Sequence, residues 1–306
     1  MSPTAAGTGG DVALVTCADE RYADPEIGVV ADGLRERGLT VDVVAWDTEL
    51  DWAAYPLVTV RSTWDYFDRL PDFMQWVTQV DRLTRLVNPA DVIRWNTHKG
   101  YLLELASHGV PTVPTRLVPG TSTDVADQIR ECPWEELVLK LAVDGGARTL
   151  WRGCRDDPTM SRAAERLADR GDVIVQPFVP AIADGERSLV FLGGRLSHAV
   201  RKVPASGDYR SQSFLGGTEV PHEPDSAELR VALAAMAAAP GRLAYARVDL
   251  VEHEGTPSLM ELEVIEPDLF FRGVPERIDR FAEMVRDELA LTAADRVRPV
   301  RRPAGR

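Results

Sequence analysis

Apolar and polar residues alternate along two late segments of the chain, residues 245–251 and 258–264. Glu254-Gly255 lies between them, and a polar residue followed by glycine is typical of a tight turn. The pattern therefore predicts two strands joined by a turn. Because residues i and i+2 of a strand point to the same face, the charged side chains of both strands would converge on one patch if the strands pair. The patch would contain Arg247, Asp249, Glu261 and Glu263.

Three of these side chains are carboxylates, which repel one another at close range unless a positive charge lies between them. Mg²⁺ is a hard cation that prefers oxygen ligands and would satisfy them. Asp249, Glu261 and Glu263 are therefore candidate metal ligands. The alternative is a hairpin with one charged and solvated face.

The first third of the chain alternates short apolar runs with helical periodicity, which predicts an open, mostly parallel sheet with helices on its faces. Strands are expected at residues 11–17, 41–46 and 57–60, and helices at residues 25–38 and 71–83. Ligands bind such sheets at the carboxyl ends of the strands. The polar loop after the third strand is a candidate substrate site, although a packed aromatic loop would give the same pattern. Its candidate residues are Arg61, Ser62, Thr63, Trp64 and Asp65.

The pattern changes after residues 88–91, which we interpret as a boundary between lobes. An amphipathic helix is expected from Thr97, as its N-cap, to Gly109, followed by an edge strand at residues 110–115. A glycine pair predicts a hairpin of residues 188–192 and 196–203. Further strands are expected at residues 137–143 and 173–179, and further helices at residues 123–132, 158–171, 226–239 and 275–291. We expect three domains, residues 1–92, 93–178 and 179–306.

Composition narrows the classes of partner. The net charge of −13 argues against nucleic acid and anionic membranes, which select positive surfaces. The three cysteines have no CxxC spacing, so neither a disulfide framework nor a zinc site is expected. No apolar run reaches the roughly 18 residues of a membrane span, and no signal peptide is evident. We therefore expect a cytoplasmic protein that binds neither nucleic acid nor a membrane, with a homodimer possible. Residues 296–306 are expected to form a solvated tail.

Several polar residues stand where a nucleotide would need them. Lys140 interrupts an apolar strand, and a buried lysine is costly unless it meets a negative charge. The pair Gly145-Gly146 would let backbone N–H groups approach phosphate oxygens, with Arg148 and Thr149 close behind. Each feature alone is also typical of an ordinary strand and glycine turn.

Other features fit the remainder of a nucleotide. The apolar strand end at residues 176–179 could form an adenine slot through Gln176, Phe178 and Val179. Glu186 could accept hydrogen bonds from ribose, and Lys99 could reach a phosphate. Only one residue of Arg201-Lys202 is expected to point inward, because neighbours on a strand face opposite ways. A buried strand and solvated surface charges are the alternative reading.

The order of these features resembles the ATP-grasp superfamily, as in D-alanine–D-alanine ligases and glutathione synthetases, over about residues 88–271. The resemblance implies ATP and Mg²⁺ as cofactors, and a mixed α/β and α+β fold whose two lobes clamp ATP behind an N-terminal open parallel sheet. It also implies roles for individual residues: phosphate contacts for Lys99, Lys140 and Lys202, adenine binding for residues 176–179, ribose binding for Glu186, a catalytic role for Arg247, and metal binding for Asp249, Glu261 and Glu263.

The sequence departs from the common pattern of the superfamily at three places. It has Gln176-Pro177 where Glu and Lys are usual, and Glu263 where Asn is usual at the last metal position. The loop of residues 144–149 is also not the most common version. Segments such as VRSTWDY and MELEVIEPDLFF resemble more closely the group of O-ureido-D-serine cyclo-ligase, the last enzyme of D-cycloserine biosynthesis.

The resemblance implies an ATP-dependent ligase that binds a small, amino-acid-like substrate, activates its carboxylate through an acyl phosphate and forms a carbon–nitrogen bond. Cyclisation of O-ureido-D-serine is the specific expectation, with Arg247 and Lys202 as catalytic residues and residues 144–149 as a lid. The alternatives are a ligase that joins two amino acids, a phosphotransferase on the same fold, and a nucleotide-binding module without catalysis. A hydrolase is disfavoured because the sequence has no GxSxG motif.

Overall fold

A computed structural model of the chain describes residues 9–211 and 215–297. Its first unit is a four-stranded parallel sheet in the order β2-β1-β3-β4, as the alternating pattern predicts. The sheet and its helices consist of β1 (Val12–Thr16), α1 (Ile27–Glu36), β2 (Val41–Ala45), β3 (Leu57–Ser62), α2 (Leu70–Leu83) and β4 (Arg85–Val87). Strand β3 extends two residues beyond its predicted end because Ser62 still pairs with Thr16.

The second sheet is antiparallel, with the order β5-β8-β6-β7. Two short helices precede it, α3 (Ala90–Asn96) and α4 (Tyr101–Ser107). The sheet and its helices are β5 (Arg116–Val118), α5 (Val125–Arg130), β6 (Glu136–Leu141), β7 (Trp151–Cys154), α6 (Pro158–Ala168) and β8 (Val173–Pro177). Helices α5 and α6 pack on one face of this sheet, where Ile129, Met160 and Leu167 share a core with the strands.

The third sheet has five antiparallel strands in the order β11-β10-β9-β12-β13. Its elements are β9 (Glu186–Leu192), β10 (Arg195–Val203), β11 (Thr218–Pro221), α7 (Ser226–Ala237), β12 (Tyr245–His253), β13 (Thr256–Glu263) and α8 (Pro275–Val297). Both predicted hairpins, β9–β10 and β12–β13, are present. The solvated tail was predicted to begin at residue 296, but α8 continues to Val297. Residues 298–306 lie outside the described residues.

Two predictions about residues 97–115 were wrong. Thr97 is the C-cap of α3, and its hydroxyl donates to the carbonyl of Arg94, so it ends one helix instead of starting another. The strand predicted at residues 110–115 is an extended segment with a single bridge, Thr112 to Leu259. Two prolines in that segment remove N–H donors that a longer ladder needs. The short strands β4, β5, β7 and β11 were not predicted.

The first and third sheets are joined through buried polar groups at Asn88. The Asn88 side chain accepts from Ala244 N–H at 2.7 Å and donates to the carbonyls of Tyr245 and Val264 at 2.9 and 2.7 Å. The Tyr245 hydroxyl lies within 2.8 Å of the Val60 carbonyl. These bonds fix the parallel sheet against the hairpin β12–β13. The boundaries of the three expected domains stay a prediction.

Among the described residues, no helix combines the length and the apolar character that crossing a membrane requires.

We predict that Asn88→Ala destabilises the chain because it leaves one N–H and two carbonyls buried without partners. The free energy of unfolding should fall by on the order of 3 kcal/mol in urea titrations. Ser107→Ala, at an exposed position, serves as the control and should unfold like the wild type. An unchanged urea midpoint for Asn88→Ala would show that the hydrogen bonds of Asn88 contribute little to the free energy of unfolding.

Candidate active site

The charged face of the hairpin β12–β13 forms as the alternation predicts. Arg247 pairs with Glu263 across the strands, and Asp249 pairs with Glu261. The Arg247 guanidinium donates to both oxygens of Asp249, with Nη2 2.9 Å from Oδ2, and it also donates to Glu263. Arg247 and Asp249 are both buried, so their charges are compensated within the protein.

The neighbouring strands β9 and β10 add a second set of partners to Asp249. The Lys202 ammonium lies 3.2 Å from both Asp249 and Glu186, and the Ser188 hydroxyl donates to Asp249 at 2.6 Å. Lys202 is buried whereas Arg201 is exposed, so the expectation that only one of the two points inward is met. Burial works to raise the pKa of Asp249, but Arg247 and Lys202 outweigh it and hold that pKa below its usual range.

Two further lysines approach the hairpin from the central sheet and its preceding turn. Lys99 lies in the turn between α3 and α4, where its ammonium is 3.1 Å from Glu261 and donates to the carbonyl of Asp144. The side-chain ammonium of Lys140, on β6, forms neither a hydrogen bond nor an ion pair with any described residue. Burial lowers the pKa of Lys140, while Glu261 opposes the change. Lys140 is therefore a cation that still lacks a partner.

The glycine-rich loop after β6 is folded around Asp144. The Asp144 carboxylate accepts from the Thr149 hydroxyl at 2.6 Å and from Arg148 Nε at 3.1 Å. Within the described part of the chain, the backbone N–H groups of residues 145–147 donate to no protein acceptor. Such a run of free donors is typical of an anion-binding loop. Thr149 is buried behind the loop, so it shapes the loop and does not line the cleft.

Arg148 connects this loop to the parallel sheet. Its guanidinium lies 2.5 Å from the Tyr22 hydroxyl and 3.3 Å from Asp68, and it stacks over the ring of Phe67. A Cβ atom on Gly145 would lie 2.3 Å from the same ring, so only glycine fits there. The predicted phosphate residue Arg148 therefore contacts another domain and does not line the cleft.

A cavity of about 160 Å³ lies between the second and third sheets, and most of the predicted nucleotide residues line it. One end is apolar, formed by Phe178, Val179, Ile182, Tyr209 and Met260. The Gln176 amide donates to Thr115 Oγ1 at 2.9 Å at the same end. The other end is lined by Lys99, Lys140, Gly145, Gly146, Glu186, Lys202, Arg247, Asp249, Glu261 and Glu263. The apolar end has the character that suits a base, and the charged end has the character that suits a polyphosphate. Because ligand pockets have volumes of about 300–1,000 Å³, the cleft would have to widen to admit a whole nucleotide.

Glu263 and Glu266 add acidic groups close to the other carboxylates of the charged patch. Burial raises the pKa of Glu263 to about 7 against the effect of Arg247, and Asp249 and Glu261 raise it further. Burial, and next the charge of Glu263, raise the pKa of Glu266 to about 8. More positive charge than the protein supplies would be needed to ionise both groups fully.

The donor set of Asp249, Glu261 and Glu263 fits Mg²⁺ by its chemistry, because all donors are carboxylate oxygens on adjacent strands. Within residues 9–211 and 215–297, however, no group of three acidic, histidine or cysteine side chains is already spaced to hold a metal ion. The carboxylates face Arg247, Lys202 and Lys99 instead. Metal binding by these three acids stays a prediction and requires some of these ion pairs to open.

The predicted substrate loop is largely buried. Arg61 is 1% exposed, packs over Phe271 and Phe281, and donates to the carbonyl of Pro267 at 3.0 Å. The other four residues are also held by the fold: Ser62 bonds to Thr16, Thr63 is buried, Trp64 donates to the Glu266 carbonyl, and Asp65 accepts from Trp46. Only Trp64 is partly exposed. Arg61 and Trp64 fix the segment after β13, and direct substrate contact by the five residues stays a prediction.

Sequence reasoning missed several residues of the cluster. Ser188 and Ser211 bond the carboxylates of Asp249 and Glu186. Ser188 lies two residues after Glu186 on β9, and residues two apart on a strand face the same way. The alternation along β9 could therefore have identified Ser188 as a residue of the cluster. Met260 reaches the cavity because the pairing of β12 and β13 shifts next to Asp249, which alternation cannot reveal.

Residues 105–269 match the family described as prokaryotic glutathione synthetase, ATP-grasp domain, and residues 12–88 match the D-cycloserine synthetase DcsG, N-terminal domain. The cycloserine biosynthesis protein DcsG of Streptomyces lavendulae is 31% identical over 92% of this chain and 99% of its own. The chain belongs to the ATP-grasp family. The predicted resemblance, fold and enzyme class, an ATP-dependent carbon–nitrogen ligase, are thereby confirmed.

The solved structures agree with this membership. The crystal structure of D-cycloserine synthetase DcsG superposes with a TM-score of 0.78 at 29% identity, covering 90% of this chain and 99% of that one. A D-alanine–D-alanine ligase of Bacillus anthracis, at 14% identity, shares the fold with a TM-score of 0.67 over 94% of this chain and 97% of its own. The ATP-grasp family uses ATP and typically Mg²⁺.

We predict that Lys140→Ala weakens ATP binding by at least tenfold, because the loop would lose its unpaired cation. Isothermal titration with ATP and Mg²⁺ measures the effect. Arg130→Ala is the control, because Arg130 is exposed on α5, pairs with Asp127 and does not line the cavity. Equal affinities for Lys140→Ala and the wild type would exclude a phosphate contact for Lys140.

We also predict a pH-dependent contribution from Glu266. Its pKa in the folded protein is about 8, above its ordinary value of 4.5, so the neutral form stabilises the fold fully below pH 4.5 and this contribution is lost as the pH rises through 8. The wild type should lose stability relative to Glu266→Gln over that interval, by at most about 1.4 kcal/mol per pH unit. Urea unfolding of both proteins without nucleotide or metal measures the difference, and parallel curves would contradict the shift.

Proposed function

We propose that this ATP-grasp ligase activates the carboxylate of O-ureido-D-serine and closes it onto a nitrogen of the same molecule to give D-cycloserine. The observation that carries the proposal is the match to the cycloserine biosynthesis protein DcsG, which spans 92% of this chain and includes the N-terminal sheet as well as the ATP-grasp lobes. A shared ATP-grasp core alone would support only the general reaction.

ATP would lie in the cavity between the second and third sheets. The apolar end formed by Phe178, Ile182 and Met260 suits an adenine ring, and Glu186 suits ribose hydroxyls. The phosphates would meet the free N–H groups of residues 145–147 and the ammonium of Lys140. The absence of a protein partner for Lys140 among the described residues supports this placement.

The substrate carboxylate would attack the γ-phosphorus, forming an acyl phosphate and releasing ADP. The side-chain nitrogen would then attack the carbonyl carbon, and phosphate would leave. Arg247 would stabilise the oxyanion that forms during this attack, because its guanidinium is buried and held in place by Asp249 and Glu263. Conversion to cycloserine also removes the carbamoyl group, which leaves with one water as carbamic acid.

Asp249, Glu261 and Glu263 would hold Mg²⁺, which when bound offsets the charge of the phosphates. Lys202 would keep its contact with Glu186 and so maintain positive charge beside the phosphates. The remaining work of the protein is positioning and charge compensation.

An acyl phosphate is destroyed by water, so the site must close while it exists. The loop of residues 144–149 would act as the lid. Arg148 supports this role, because it joins the loop to Tyr22 and Asp68 of the parallel sheet and thus closes the cleft from the side of the substrate.

We predict that the purified chain releases ADP with O-ureido-D-serine and Mg²⁺, and that mass spectrometry detects cycloserine. Glu261→Gln should lower kcat at least a hundredfold with a modest loss of thermal stability, because the lost charge serves the metal and Lys99. Glu252→Gln, an exposed position at the end of β12, is the control and should retain full activity.

The same assay separates the alternatives. ADP release with pairs of amino acids, and a dipeptide as product, would replace the cyclo-ligase with an amide ligase. A phosphorylated product without a new bond to the carbonyl carbon would identify a phosphotransferase. Full activity of Glu261→Gln would contradict the assignment of Glu261.

A further inference from the structure

Two aromatic rings from different elements form part of the apolar end of the cavity. Phe178 lies in the linker between β8 and β9, and Tyr209 lies in the loop between β10 and β11. Their ring centroids are 6.1 Å apart, and the rings are perpendicular to each other, at 89°. Both side chains are only partly buried, so the apolar core does not enclose them fully. A further contact from outside the cavity is therefore important for holding the rings in place.

Arg152, on β7 of the second sheet, makes such a contact. Its guanidinium carbon lies 3.4 Å from the ring centroid of Phe178 and 5.4 Å from that of Tyr209. Arg152 does not itself line the cavity, so it touches both rings from outside. Glu136, on the neighbouring strand β6, accepts from Arg152 Nε at 2.8 Å and orients the guanidinium. A continuous set of contacts thus runs from this carboxylate to the wall of the cavity.

The contact of Arg152 with Phe178 differs from an ordinary surface ion pair. The exposed pair of Arg152 and Glu136 would by itself contribute little to stability. A planar guanidinium that stacks on an aromatic face is in addition attracted by the electrons of the ring. Because this contact covers one face of Phe178, it restricts the rotation of that ring.

A second arginine of the same lobe makes the same kind of contact away from the cavity. Arg166, on α6, lies 5.1 Å from the ring centroid of Trp151, which precedes Arg152 on β7. Neighbours on a strand face opposite ways, and Trp151 is exposed and does not line the cavity. Of these two arginine–aromatic contacts, only that of Arg152 reaches the wall of the cavity. The chain therefore contains a matched comparison for Arg152.

We propose that Arg152 is a positioning residue for nucleotide binding, which holds Phe178 and Tyr209 in the orientation that receives the base. The inference rests on the proposed placement of ATP, because it needs the base at the apolar end of the cavity. Binding of the base costs less when the rings are ordered beforehand, since immobilising a side chain opposes association. The contribution of Arg152 therefore belongs to recognition of the base and not to binding of the phosphates.

The test compares ATP with inorganic tripolyphosphate, which has the phosphates but no base, in isothermal titrations with Mg²⁺. Arg152→Ala should raise the Kd of ATP about fivefold, the size expected for one cation–π contact, and leave the Kd of tripolyphosphate unchanged. Arg152→Lys keeps a cation but not the planar group, so it should recover part of the affinity for ATP. Arg166→Ala is the matched control and should bind both ligands like the wild type.

A double variant tests whether Arg152 acts through Phe178. Phe178→Leu alone should weaken ATP binding, and adding Arg152→Ala to it should cause little further loss. If the two losses of affinity multiply in full, Arg152 acts independently of the ring and the inference is wrong. Thermal unfolding checks that each variant is folded, and Tyr209→Leu replaces Phe178→Leu if the latter unfolds early.

Other results would also overturn the inference. Unchanged ATP affinity in Arg152→Ala, with weaker binding in Phe178→Leu, would show that the rings are ordered without the arginine. Equal losses for ATP and tripolyphosphate would make Arg152 a source of positive charge for the phosphates instead. The proposed placement of ATP fails separately, when Phe178→Leu and Tyr209→Leu both bind ATP like the wild type.

Discussion

The placement of Arg247 between Asp249 and Glu263 is the contact on which the rest of the cleft depends. Opposite charges that are buried together cost little more than apolar groups, but removing one partner costs about 3–5 kcal/mol. The register of β12 and β13 therefore fixes the Arg247 guanidinium, and Asp249 in turn fixes Lys202 at 3.2 Å. Arg247 and Lys202 are thus each held by a charge of opposite sign, whereas Lys140 has no such partner among the described residues.

Two sets of contacts around this cluster differ in how easily they would open. The joint formed by Asn88 and Tyr245 is buried and made of backbone and side-chain hydrogen bonds, so the parallel sheet and the hairpin behave as one platform. The contact of Arg148 with Tyr22 and Asp68 is partly exposed and belongs to a glycine-containing loop. Opening the cleft would break this second contact and leave the first intact, because exposed ion pairs contribute little to stability.

Periodicity in the sequence predicts which residues share a face, but it does not predict how distant elements pack. The period of two placed Arg247 and Asp249 on one face, and β12 does pair with β13 there. Arg61 looked like a residue at a strand end, but the segment after β13 and α8 cover it, and only long-range packing decides that.

The charges that line the cavity also constrain how a nucleotide enters it. Five cationic and five acidic side chains line the cavity, so its formal charge is balanced before any ligand binds. A polyphosphate alone would therefore bring negative charge into a partly buried site that has no surplus of positive charge to receive it. Under the proposed function, divalent cations that enter together with the phosphates would remove this excess, and carboxylates that turn away from Arg247 and Lys99 would be their ligands. The observed ion pairs and the proposed metal site would thus use the same three acids in two different arrangements.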